Sequence, residues 1–141
     1  WVSDWAVRRR DYAFIRNLWR DWSPGWRPER RALESVINAL SKPGVSAAAL
    51  GYYRAALSLK ALLLSKREAY FKVPVPTLAL SGERDGCIAS DVFEKLTVPE
   101  DFPAGVTFRR IPGAGHFAHQ ERPDVVNAML LDWLRDHHGG A

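Results

Sequence analysis

Apolar positions recur with two different periods along this chain, and the change falls near residue 73. Ile15, Leu18, Trp19 and Trp22 lie at i, i+3, i+4 and i+7, which predicts an amphipathic helix. Ser23-Pro24-Gly25 breaks it. Pro28 suits the first turn of a second helix, in which Leu33, Val36, Ile37 and Leu40 repeat the stripe until Pro43-Gly44 ends it. Ser46 is placed to cap a third helix running to about Lys66, with Leu50, Tyr53, Leu57 and Leu62 on shared faces. Three helices joined by short Pro/Gly breaks make a helical layer.

The second half reads differently. Val73-Pro74-Val75-Pro76 disfavours helix and marks an extended entry. Thr77–Ser81 and Val106–Ile111 are short apolar runs of the kind buried in a parallel sheet. Between them Ser90 or Asp91 can cap a short helix through Leu96, and residues 98–103 read as a loop. A closing helix over Asp124–His137 carries Val125, Met129, Leu130, Trp133 and Leu134 on one side, and residues 137–141 read as a tail. The β-α-β-α order predicts two parallel strands joined by a crossover. Two parallel strands leave faces and edges uncovered, so further strands are expected upstream of Trp1.

Composition fits that picture. With 141 residues, 47% hydrophobic and 11% aromatic, the chain is long and apolar enough for a core, which argues against disorder. No run of 18 apolar residues predicts a membrane span. The first residue is Trp1 rather than Met and no leader pattern follows it, so the expectation is a piece of a longer chain. The single cysteine, Cys87, excludes an internal disulfide framework and fits a cytoplasmic location.

Charge adds one competing possibility. The net +4 arises entirely in residues 1–31, where Arg8, Arg9, Arg10, Arg16, Arg20, Arg27, Arg30 and Arg31 face Asp4, Asp11, Asp21 and Glu29. The same segment holds five of the six tryptophans. Arg/Trp-rich sequence can bind a nucleic-acid backbone or a membrane surface. The helical spacing of the tryptophans favours a plainer reading, in which they are buried and the arginines line a solvated face. No nucleic-acid or membrane partner is therefore expected.

The chemistry concentrates in Gly113-Ala114-Gly115-His116 and in Gly82-Glu83-Arg84-Asp85-Gly86. Each follows an expected strand, so both side chains project from one edge of the sheet. An imidazole whose tautomer is fixed by a carboxylate is a general base near pH 7. His116 is the candidate base and Asp85 its orienting acid, with Glu83 and Asp91 as alternative carboxylates. Glu121 reads as a cap of the last helix, His119 as a surface residue, and Cys87 as packing behind the site. No nucleophile elbow of the form Gly-x-Ser-x-Gly or Gly-x-Asp-x-Gly occurs, and no histidine–cysteine pattern suggests a metal site.

Residues Pro76–Leu134 resemble the C-terminal end of an α/β-hydrolase. In that family a Gly-x-x-Asp turn supplies the acid, a Gly-His turn the base, and Glu-x-Pro opens the last helix. Gly82–Asp85, Gly115-His116 and Glu121-Arg122-Pro123 match in order and spacing. The first half is similar to the helical cap of the epoxide-hydrolase-like branch, where Gly51-Tyr52-Tyr53-Arg54 matches a segment that presents a tyrosine to the epoxide oxygen.

The resemblance implies an α/β fold in which residues 1–72 form a helical cap and 73–141 the last two strands and helices of the core. It implies a hydrolase with Asp85 and His116 as catalytic residues, Tyr53 at the substrate, a small-molecule substrate, no cofactor and no metal. The nucleophile falls in a missing N-terminal core segment, so the isolated chain is expected to be inactive. An esterase, lactonase or dehalogenase of the same fold would use the same pair. A non-catalytic Arg/Trp-rich helical binding module is the reading from another class.

Overall fold

The computed structural model describes residues 4–56 and 72–138. The chain divides into two compact units, one from Trp1–Trp19 and Arg27–Tyr70, the other from Arg20–Trp26 and Phe71–Ala141, as far as the described residues extend. Residues 20–26 lie in the first half of the sequence yet cluster with the second unit.

The first unit is helical. Helix α1 (Asp4–Trp22) is broken at Arg9–Tyr12, where Arg10, Asp11 and Tyr12 take positive φ. That break brings Val7 and Tyr12 together with Ile37 of α2 (Arg30–Ser41) in a small core, against which Ile15, Leu33, Leu40 and Leu50 pack. The expected stripe of α2 is therefore the face it buries. Pro28 stands ahead of α2 rather than in its first turn, because the helix starts at Arg30.

Helix α3 (Val45–Ala56) corrects the expected cap. Ser46 lies inside the helix and is buried. The preceding Gly44 takes φ +79°, and its carbonyl accepts the Ala48 N–H at 2.9 Å. The expected continuation through Leu57 and Leu62 to Lys66 lies outside the described residues.

In the second unit, β1 (Thr77–Gly82) and β2 (Val106–Ile111) pair in parallel, in register from Thr77↔Val106 to Gly82↔Ile111. Among the described residues these two strands are the whole sheet. Helix α4 (Ser90–Leu96) supplies the crossover and packs Phe93 on Phe108 at 5.8 Å between ring centroids. Neither expected cap of α4 operates. Ala89 holds the N-cap position, Ser90 is buried with its hydroxyl unpartnered, and Asp91 instead pairs with Arg110 at 2.7 Å. A 3-10 turn at Pro99–Asp101 occupies the expected loop.

Beyond β2 come a short helix α5 (Ala118–Glu121) and the closing helix α6 (Pro123–His138). Helix α6 half-buries Val125, Met129, Trp133 and Leu134, whereas Leu130 is exposed. His137, expected as the last residue of this helix and the first of the tail, is helical, as is His138: the His137 ring stacks on Trp133 at 4.1 Å and its Nδ1 donates to the Trp133 carbonyl at 2.8 Å. The two strands end abreast at Gly82 and Ile111, so the loops that follow them leave the sheet from one edge.

Candidate active site

Each loop is fixed by contacts with the other. After β2, Pro112-Gly113 turns with Gly113 at φ +69°, a conformation that suits glycine. The Glu83 carboxylate accepts the Gly113 N–H at 2.8 Å, and the Arg84 guanidinium donates to the Gly113 carbonyl. The Arg84 N–H goes to the Ala114 carbonyl at 2.8 Å. Glu83 is thereby committed to the turn, and Asp91 to Arg110, which leaves Asp85 as the carboxylate that meets the histidine.

Asp85 is nearly buried, its side chain 10% exposed. Its Oδ1 accepts the backbone N–H groups of Cys87 at 2.7 Å and Ile88 at 3.1 Å, an Asx-type turn that holds the carboxylate still. Its Oδ2 lies 3.0 Å from His116 Nδ1, and Oδ1 lies 3.2 Å from the same atom. A carboxylate only accepts, so Nδ1 carries the proton and Nε2 is the ring nitrogen left to take one. The structure brings together the two residues that the sequence singled out.

A third segment joins them. The Trp22 carbonyl accepts two N–H groups, that of Gly86 at 2.9 Å and that of His116 at 3.1 Å. The Trp22 ring meets the imidazole edge-on with centroids 4.8 Å apart. Ser23 is fully buried; its hydroxyl donates to Glu121 Oε1 at 2.7 Å and accepts the Phe117 N–H at 3.3 Å. Glu121 Oε2 accepts the Gly115 N–H at 2.9 Å. Glu121 thus holds the histidine loop, where a helix cap was expected. Sequence periodicity placed Trp22 on a helix stripe and Ser23 in a breaker; nothing in their spacing signals a link to residues some 90 positions away.

A cavity of about 340 Å³ opens beside the pair. Leu80, Phe93 and Val126 give it apolar walls, while Ser81, Asp85, His116 and His119 supply polar groups. Such a mixture of apolar lining and few convergent polar groups is usual for small-molecule sites. His119, read as a surface residue, is exposed and lines this cavity. Cys87 is exposed rather than packed behind the site. Desolvation first, and the Asp85 charge second, push its thiol above the usual value, which disfavours the reactive thiolate.

Tyr53 belongs to the other unit. It lies on α3, 57% exposed, edge-on to Tyr52 at 5.4 Å. Among the described residues no group of three or more His, Cys, Asp or Glu side chains is placed to hold a metal ion. No helix among them is long and apolar enough to cross a membrane.

No protein-family model matches the chain. It is 25% identical over 133 residues to epoxide hydrolase 4 of Mus musculus, covering 89% of this chain and 34% of that protein. It is 23% identical over 139 residues to epoxide hydrolase 3 of Mus musculus, covering 96% and 35%. The figures for epoxide hydrolase 3 of Xenopus tropicalis are 26% over 142 residues, 96% and 36%. The chain spans about a third of the length of these relatives. The similarities support a hydrolase-family relationship, and helices around a two-stranded parallel sheet are compatible with part of an α/β fold.

Proposed function

We propose that this chain carries the acid and base of an epoxide-hydrolase-like α/β-hydrolase, together with its helical cap. The observation that carries the reading is the 3.0 Å contact between Asp85 Oδ2 and His116 Nδ1, made by two loops that leave one edge of a parallel sheet. The nucleophile belongs to a core segment outside these residues. It opens the substrate and forms a covalent ester. His116 Nε2 then takes a proton from water, whose oxygen attacks the ester carbonyl; the imidazolium returns that proton to the departing alkoxide, so the diol leaves, and the nucleophile's carboxylic acid gives its proton to the tyrosinate left by ring opening. Asp85 fixes the tautomer and stabilises the imidazolium that forms. Tyr53 donates its phenol hydrogen to the epoxide oxygen as the ring opens.

The relatives' names favour an epoxide over an ester, lactone or halide, though the same pair would serve all four. The reading as an Arg/Trp binding module is weakened by pairing: Arg8, Arg16, Arg20, Arg30 and Arg31 each meet a carboxylate within 3.0 Å. The test is hydrolysis of an aryl epoxide by the complete protein and by its Asp85→Asn variant. Substrate binding kept with turnover reduced on the order of 10²-fold or more is expected. Turnover unchanged by Asp85→Asn contradicts the proposal.

A further inference from the structure

We propose that Ser23 and Glu121 are positioning residues for His116, acting as a clamp that spans the histidine's backbone on both sides. The inference rests on the reading of His116 as the base. Three successive N–H groups are held here: those of Gly115 and Phe117 by the clamp, and that of His116 by the carbonyl of Trp22, the residue before Ser23. Gly115 N–H goes to Glu121 Oε2 at 2.9 Å, His116 N–H to the Trp22 carbonyl at 3.1 Å, and Phe117 N–H to Ser23 Oγ at 3.3 Å. The Ser23–Glu121 hydrogen bond at 2.7 Å closes the circuit.

Such a circuit does more than cap a turn. The Trp22 carbonyl that holds His116 N–H also holds Gly86 N–H, next to Asp85, so one peptide sets the spacing of both loops. The Trp22 ring, 4.8 Å from the imidazole, limits its tilt. Ser23 has no solvent exposure, so water cannot replace its hydroxyl when that is removed. Loss of Ser23 Oγ removes its hydrogen bonds to the Phe117 N–H and to Glu121 Oε1, and the loop relaxes. The imidazole then leaves Asp85, because a hydrogen bond between two side chains holds only while both backbones do.

Glutamine at 121 separates geometry from charge. Its carbonyl oxygen can accept the Gly115 N–H, and its amide can donate to Ser23 Oγ, which still accepts from Phe117; the bond between Ser23 and residue 121 is then reversed, and the Ser23 hydrogen gives up its carboxylate acceptor. Glu121→Gln therefore keeps a hydrogen bond to Gly115 and one, reversed, to Ser23, whereas Glu121→Ala removes both.

The experiment is NMR on the isotopically labelled complete protein, with the ring-nitrogen shifts of His116 reporting its tautomer and the Nδ1–H resonance its protection. The parent protein and Glu121→Gln should show a single tautomer with a slowly exchanging Nδ1–H. Ser23→Ala and Glu121→Ala should show a tautomer mixture and exchange of that proton at least tenfold faster, with thermal unfolding still cooperative. If Ser23→Ala does not fold, the pair Glu121→Ala and Glu121→Gln decides alone. A protected Nδ1–H in Glu121→Ala or Ser23→Ala overturns the clamp while leaving His116 as base. Absence of that resonance in the parent protein overturns the Asp85–His116 pairing itself, and the clamp with it.

Discussion

Gly82 and Ile111 face one another as the last register pair of the parallel ladder, and this is why Asp85 and His116 meet. Each side chain lies a few residues beyond its strand end: three after Gly82, five after Ile111. Parallel pairing sends both loops off the same edge, where an antiparallel pair would send them to opposite ends. Ile111 is fully buried at that point and anchors the second strand end. The site is therefore a consequence of register, and a slip of one residue would turn every side chain to the other face.

Gly115→Ala should damage both stability and the site. A methyl group there would lie 2.6 Å from the Ser23 backbone and 2.8 Å from its hydroxyl, against a segment that cannot retreat without releasing Trp22. Overpacking of this kind costs about 1–3 kcal/mol. Chemical denaturation should show that loss, and NMR should show His116 displaced from Asp85. Gly25→Ala, where no atom lies within 4 Å of the added methyl but φ is +85°, should cost less, through backbone strain alone.

Cys87 should report on Asp85. Desolvation and then the Asp85 charge raise the thiol's titration, so alkylation by iodoacetamide near pH 7.5 should be slower than for an unstructured cysteine peptide. Asp85→Asn removes one of the two causes, destabilising the thiolate less, and should speed alkylation part of the way toward the peptide rate. The same rate in both proteins would mean the carboxylate does not reach the thiol.

Tyr53→Phe in the complete protein should slow epoxide opening on the order of 10²-fold, the usual consequence of losing one hydrogen-bond donor to a developing oxyanion. The phenol is exposed on α3, so the substitution should leave the melting temperature within a degree or two. Single-turnover rates check it. An unchanged opening rate would assign Tyr53 to packing alone.

The Arg-rich segment should bind polyanions poorly for its composition. Surface ion pairs contribute little to stability, about 0–1 kcal/mol each, but at five of the eight arginines they offset part of the local field that a phosphate backbone needs. Elution from heparin below physiological salt is expected. Retention that persists well above it, with a steep salt dependence, would favour the binding-module reading.

Much of this was legible in the sequence, for physical reasons that differ by element. The strand over Val106–Ile111 is bounded by glycine and proline turns and carries a short β-rich run, so its limits follow from local chemistry. Asp85 and His116 were legible because glycine turns after strands leave few other uses for such residues. The caps were not. Ser46 and Ser90 fit the residue preference for helix starts, but burial in the fold placed both inside their helices. Glu121 stands just before a helix, and sequence spacing cannot tell a cap from a residue that turns back toward Ser23. Trp22 and Ser23 could not be linked to residues 115–121, because only the tertiary fold brings them together. The break at Arg9–Tyr12 carries no glycine or proline to announce it.

In the proposed reaction His116, held by Asp85, activates the water that hydrolyses a covalent intermediate formed by a nucleophile outside these residues. The most direct measurement is intact mass of the complete protein carrying His116→Ala, taken during incubation with an aryl epoxide. A stable adduct equal in mass to one substrate molecule should accumulate toward one per protein while diol release stops, and should be absent from the parent enzyme at steady state. Diol release at the parent rate, with no adduct, would contradict it.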